Sequence, residues 1–247
     1  MKNSFIRHNT SKKILKDGDF IIERTSQKNF SQQLSFKIEK KAKVTYLLIV
    51  DKPVDLEVKR NWHLTANSSL QSYRLFLKDG YSSAWHFQHE IGDRARLISR
   101  SLLIAMTDEN FKLNAIYNFS GQASFGRINI DALLAGKSRL NSIADVNVLP
   151  TAQQSDTRVD MTLRLENNEA KGEMTPGLNI AANDVKVGHS AGTFRLKAED
   201  LFYLRSRGLS LENIRRLFIL SLAQSFAAGL NNKKIKSEVL SLITNNL

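Results

Sequence analysis

A single histidine set among small residues, Gly188-His189-Ser190-Ala191-Gly192-Thr193, is the side chain of this sequence best suited to chemistry. A neutral imidazole is a good iron ligand and changes charge near neutral pH. On residue pattern alone, a lone histidine after a strand reads as a hydrogen-bonded turn residue. His86 and His89 are three apart, which on a strand points them to opposite faces, so they read as structural rather than as a metal pair. His63 beside Trp62 reads as packing, and His8 falls in an exposed start. Asp156 and Asp160 lie four apart at a strand edge and share a face, which keeps a carbohydrate-active β-helix protein as one alternative. Gly121 to Gly126, GQASFG, has phosphate-loop glycine spacing, but Arg127-Ile128 follow where a lysine and a hydroxyl residue are needed. No G-x-S-x-G elbow, H-E-x-x-H helix or EF-hand loop occurs.

The absence of cysteine excludes more than any motif includes. Without thiols the chain has no disulfide, no thiolate zinc site and no persulfide, so any sulfur chemistry is left to partners. The net charge of +12 resides in residues 1–60 and 201–247, while 61–200 are balanced. Lys12, Lys13, Lys16, Lys28, Lys37, Lys40, Lys41 and Lys43 would form the phosphate-tracking surface of a nucleic-acid binder, the other alternative. No RNA-binding aromatic motif accompanies them, so a solvated basic face is preferred. No run of eighteen apolar residues spans a bilayer and residues 1–20 lack an apolar signal core, so the expected address is cytoplasmic.

The elements that must position His189 change period around it. Leu178, Ile180 and Ala182, then Val185 and Val187, alternate as in half-buried strands. Beyond it Glu199 and Asp200 suit a helix start, Leu201, Phe202 and Leu204 form an apolar face, and Arg205, Arg207 and Gly208 suit its end. Upstream, short strand candidates run from Val44–Val50 to Val159–Leu165 at irregular intervals of about a dozen residues, spacing that fits a sandwich or a solenoid. No strict repeat emerges. Downstream, Ser210 caps a helix with Leu211, Ile214, Leu217, Phe218, Leu222 and Phe226 at helical spacing, Gly229 ends it, and a third helix spans 233–244. The organisation read from this is an N-terminal segment over 1–30, a β-rich core over 31–192 and a helical region over 193–247.

The stretch AANDVKVGHSAGT at 181–193 and LFYLRSRG at 201–208 resembles the core domain of the SufB/SufD family, the paired scaffold subunits of the sulfur-mobilisation (Suf) machinery for iron–sulfur cluster assembly. Weaker similarity of pattern extends upstream to about Asn67. The resemblance implies a mainly β fold, a right-handed parallel β-helix followed by C-terminal helices. It implies pairing with a SufB-like subunit, or with a second copy, and docking of a SufC-like ATPase on the helices through Leu211, Ile214, Leu217 and Phe218. It further implies that His189 lies at the subunit interface, where it would ligate a transient iron–sulfur cluster, with no cofactor held stably by this chain alone. Lack of cysteine makes the chain SufD-like rather than SufB-like. Two departures stand out: the family pattern reads more like S-H-G-A-T around the histidine, and the longer N-terminal helical region usual in the family is missing.

Overall fold

The computed structural model describes residues 3–5, 12–25, 30–52, 57–77, 83–195 and 198–245. The odd-numbered strands form one sheet in the order β1 (Asn3–Phe5), β3 (Phe20–Arg24), β5 (Lys43–Val50), β7 (Ser69–Phe76), β9 (Arg96–Ala105), β11 (Phe125–Leu134), β13 (Asp156–Leu165), β15 (Lys186–Arg195). The even-numbered strands form the second, in the order β14 (Lys171–Ile180), β12 (Arg139–Val148), β10 (Asn110–Phe119), β8 (Ser83–Ile91), β6 (Glu57–Leu64), β4 (Gln33–Ile38), β2 (Lys12–Leu15). All pairings are parallel and join each strand to the next but one. Each turn of the chain therefore lays one strand in each sheet, a parallel β-solenoid. Helices α1 (Ala198–Ser206), α2 (Leu211–Ala227) and α3 (Lys233–Thr244) follow. Stacking begins upstream of residue 31, since β2 pairs with β4 and β3 with β5. In the short β2 Leu15 is buried while Lys13 and Ile14 are not, too little alternation to read as a strand.

Burial explains the strand pattern. In β10, β12 and β13 alternate residues are buried, because one face lines the interior and the other meets solvent. The C-terminal halves of β5, β7 and β9 are buried on both faces. There Leu47, Ile49, Leu75, Leu102 and Ile104 form a second core with Leu222, Phe226, Val239 and Ile243 of α2 and α3. Arg100 donates to the Ser225 carbonyl (3.0 Å) near the end of α2, and Arg24 pairs with Glu238 of α3 (3.1 Å). Ser210 caps α2 by accepting from the Asn213 amide at 3.1 Å, and Gly208 takes a left-handed turn (φ +84°) after α1.

The repeat hidden in the sequence lies in the corners. Lys41, Asn67, Arg94, Ala123 and Gln154 all have positive φ, at intervals of 26, 27, 29 and 31 residues. Each amide donates to a carbonyl of the next corner: Asn67 to Asp93 and Arg94 to Gln122, both at 2.8 Å, then Ala123 to Gln153, also at 2.8 Å. Five residue types share one backbone conformation, so no identity repeat marks it. Between two of them, Gly121 packs so closely that a Cβ would lie 2.0 Å from the Asp93 nitrogen. Close approach between rungs accounts for this glycine, not phosphate binding.

The interior carries charge as well as hydrocarbon. Buried Glu23 accepts from Tyr46 (2.5 Å) and from Arg60 Nε (3.1 Å), with Arg60 Nη2 on its other oxygen. Burial, then the Glu23 charge, push the Tyr46 phenol well above its ordinary value. Fully buried His89 stacks on Tyr117 with ring centroids 4.6 Å apart. Desolvation first, and the nearby Arg74 charge second, hold its imidazole well below its ordinary pKa of 6.5.

Two outcomes follow. Gly121→Ala is expected to cost about 3 kcal/mol or more, because backbone must move, whereas Ala123→Gly should stay within about 1 kcal/mol of the parent; urea unfolding separates them. Unfolded, His89 takes up a proton near pH 6.5, and folded only at much lower pH. Stability present above the unfolded value is therefore lost as pH falls below it, at up to about 1.4 kcal/mol per pH unit. His89→Phe should flatten that slope in denaturation curves at pH 7 and pH 5.

Candidate functional site

The solenoid ends on a rung that nothing stacks upon among the described residues. Alternate residues of β12 and β13 are buried, while every residue of β14 and β15 is exposed or half-buried. Register carries the interior rows to this end. Ser99, Ile128 and Val159 are buried register partners on β9, β11 and β13, and the next partner in the row is His189. On the facing sheet, buried Ala144, Val146 and Val148 are succeeded by Pro176, Leu178 and Ile180. The end therefore offers a partly apolar surface of Met174, Leu178, Ile180 and Val187 with an exposed imidazole in the inward row.

His189 is the fourth residue of a ten-residue strand, not the turn residue expected from sequence. The uncovered rung buries nothing fully, and beyond Val187 the small residues Gly188 to Thr193 around His189 carry no apolar alternation to mark a strand. The neighbouring Ser190 hydroxyl donates to Asp160 (2.6 Å), which also accepts from Arg158 Nε (2.9 Å). Burial would raise the Asp160 carboxyl, but Ser190 and Arg158 outweigh it and hold it below the usual value. A hydrogen bond from Arg127 does the same for Asp156. These two carboxylates do share a face, yet both are held ionised, and neither is suited to donate a proton to a glycoside near neutral pH.

Among the described residues no group of three or more His, Asp or Glu could hold a metal ion. His86 points outward beside Glu57 (3.4 Å) and His89 inward, as their spacing requires; His8 lies outside the described residues. Any metal centre at His189 would therefore need its other ligands from outside the described residues. The outer edges of β14 and β15 pair with no strand among the described residues, leaving backbone donors and acceptors free. Pro176 removes one donor from β14, whereas β15 has no proline. Of the basic residues near the first turns, Lys16, Lys40, Lys41 and Lys43 share their corner with Asp17, Asp19 and Glu39, and Asp17 accepts from the Lys43 amide (2.8 Å). No helix of the described residues is long and apolar enough to cross a membrane.

The helical residues singled out from sequence divide. Ile214 is buried, so it is core rather than docking surface, while Leu211 and Leu217 are each 54% exposed and Phe218 is 37% exposed. A groove of about 520 Å³ runs between the helices and the coil, lined by Leu133, Phe194, Leu204, Leu211, Ile214 and Phe218. Phe202 is 76% exposed, so it does not sit on a covered face of α1 as its sequence suggested. Phe194, Phe202 and Tyr203 extend the exposed apolar surface. Sequence reading missed this patch because consecutive aromatics do not make a helical stripe.

Comparison with known proteins matches residues 15–222 to the family model described as SUF system FeS cluster assembly, SufBD core domain. Iron-sulfur cluster assembly protein SufD of Escherichia coli is 31% identical over 108 residues, 44% of this chain and 25% of that protein. SufD of Bacillus subtilis is 28% identical over 137 residues, 55% of this chain and 30% of the relative. An iron-sulfur cluster assembly SufBD family protein of Mycobacterium leprae is 39% identical over 79 residues, 31% of this chain and 20% of its own length. The matched stretch spans between a fifth and a third of the length of these relatives.

Proposed function

The chain belongs to the SufBD core-domain family of the SUF iron–sulfur cluster assembly system, and on that premise we propose that it works as a SufD-like, non-catalytic scaffold subunit in cluster assembly. The observation that carries this reading is the open end of the coil. A half-buried apolar surface with two unpaired strand edges is costly to leave in water and a hazard for indiscriminate pairing. A second coil meeting it would bury Leu178, Ile180 and Val187 and enclose His189 between chains.

Ligand chemistry supports one kind of partner over the other. A second copy would bring another His189 and no thiol, since the chain has no cysteine. A SufB-like subunit bearing thiolates would complete a mixed thiolate and imidazole ligand set, one that iron–sulfur clusters accept. The cluster is cargo assembled at the interface rather than a resident cofactor. The exposed Leu211, Leu217, Phe218 and Phe202 side chains would dock a SufC-like ATPase, whose nucleotide cycle would act on the paired coils through the helices. Two other classes find less support. The corner lysines are interleaved with acids, unlike a phosphate-tracking stripe, and Asp156 and Asp160 are each engaged by arginine.

Co-expression with SufB-like and SufC-like proteins tests the reading. His189→Ala is expected to leave the complex intact while reducing the iron and acid-labile sulfide recovered per complex at least several-fold. Unchanged cluster content would return His189 to a structural role. Leu217→Asp should release the ATPase in pull-down while the chain keeps its unfolding free energy within about 0.5 kcal/mol of the parent, as for an exposed substitution. A chain that unfolds instead would make Leu217 core and remove the docking surface.

A further inference from the structure

Among the described residues the interior of the coil holds two fully buried guanidinium groups, and one of them has a counter-ion. Arg60 is matched by Glu23. Arg74 is as deeply buried, and among the described residues no carboxylate comes within ion-pair distance of it. Its Nη2 donates to the Ser99 hydroxyl and to Tyr117 Oη (3.0 Å), and its carbon lies 4.2 Å from the Phe87 ring centroid. Nε and Nη1 reach no acceptor.

Register explains the mismatch. Arg74 faces the interior between Leu48 and Ser101 in one inward row. Glu23 lies one rung beyond Leu48 in the same row, already engaged by Arg60 and Tyr46. Ser72 and Ser101, the inward residues beside Arg74, carry buried hydroxyls that also lack partners. The same two rows are filled by Ile128, Ile130, Val159 and Met161 farther along. Three serines, Ser72, Ser99 and Ser101, therefore stand where branched or long side chains would otherwise close the space.

A guanidinium cannot shed its proton, and an isolated buried charge costs several kcal/mol unless it is compensated. Water would satisfy the N–H groups but leave the charge unmatched. We propose that Arg74 holds a small monovalent anion of halide type inside the coil, with the free Ser72 and Ser101 hydroxyls completing its shell. The anion takes the place that Glu23 fills for Arg60, and the enclosed aromatic surroundings of Phe87 and Tyr117 suit a weakly hydrated ion better than sulfate or phosphate.

Thermal and urea unfolding of the full chain in chloride against gluconate, at constant ionic strength, tests this. Above the dissociation constant, each tenfold rise in chloride should raise the folded-to-unfolded ratio by about tenfold, and Arg74→Met should remove that dependence. Crystals grown in bromide should show one anomalous peak against Arg74 Nη1 or Nε. Equal stability in the two salts, chloride dependence that survives in Arg74→Met, or bromide confined to surface lysines as an adventitious ion only would each overturn the site. If Arg74→Met does not fold, the bromide map of the parent protein decides: a peak at Arg74 supports the anion, and density for water alone there overturns it.

Discussion

Everything in this fold depends on one geometric requirement: each rung must lie on the last in strict parallel register. The corner ladder enforces it, because the left-handed residues from Lys41 to Gln154 aim their amides at the next corner's carbonyls. Once rungs are locked, a side-chain period of two turns every inward position into a row running along the coil. Such rows explain the core, the close approach at Gly121 and the location of His189 alike.

A row must also be consistent in charge, and here the two ends of the coil differ. Near the start, Glu23, Tyr46 and Arg60 come from three strands and satisfy one another within the interior. Their mutual attraction does little more than offset desolvation, so the gain lies in fixing register: a slip by one residue would bury one member alone. Toward the finish the two rows that hold Ile128, Ile130, Val159 and Met161 are apolar, and they then stop at an uncovered rung.

Much of this was legible in the sequence where burial is one-sided. The alternation in Phe111–Tyr117 and Val159–Leu165 reads as strand because solvent covers one face and the interior the other. Ser210 and Gly208 mark helix boundaries because capping is local chemistry. The strand candidate Val44–Val50 ends in the continuous apolar run Tyr46–Val50, because α2 and α3 cover its outer face. What stayed hidden has equally physical causes. Positive φ at five different residue types leaves no identity to repeat. His189 looked like a turn because Gly188, Ser190, Ala191 and Gly192 surround it with small residues that carry no apolar alternation. Ile214 and Leu217 share helical spacing, yet only the first turns toward the coil, and periodicity alone does not say which part of a broad stripe is covered.

The uniform direction of the strands has a consequence for assembly. Within each sheet every described strand runs parallel to its neighbours, so a coil has a head and a tail, like an arrow. If a similar coil met the exposed rung head to head, the two terminal strands would run in opposite senses, and the seam would be the single antiparallel joint in an otherwise parallel stack. Such a joint closes on itself as a pair, whereas tail-to-head addition would continue into a filament. Polarity, rather than any one side chain, would then limit the assembly to two.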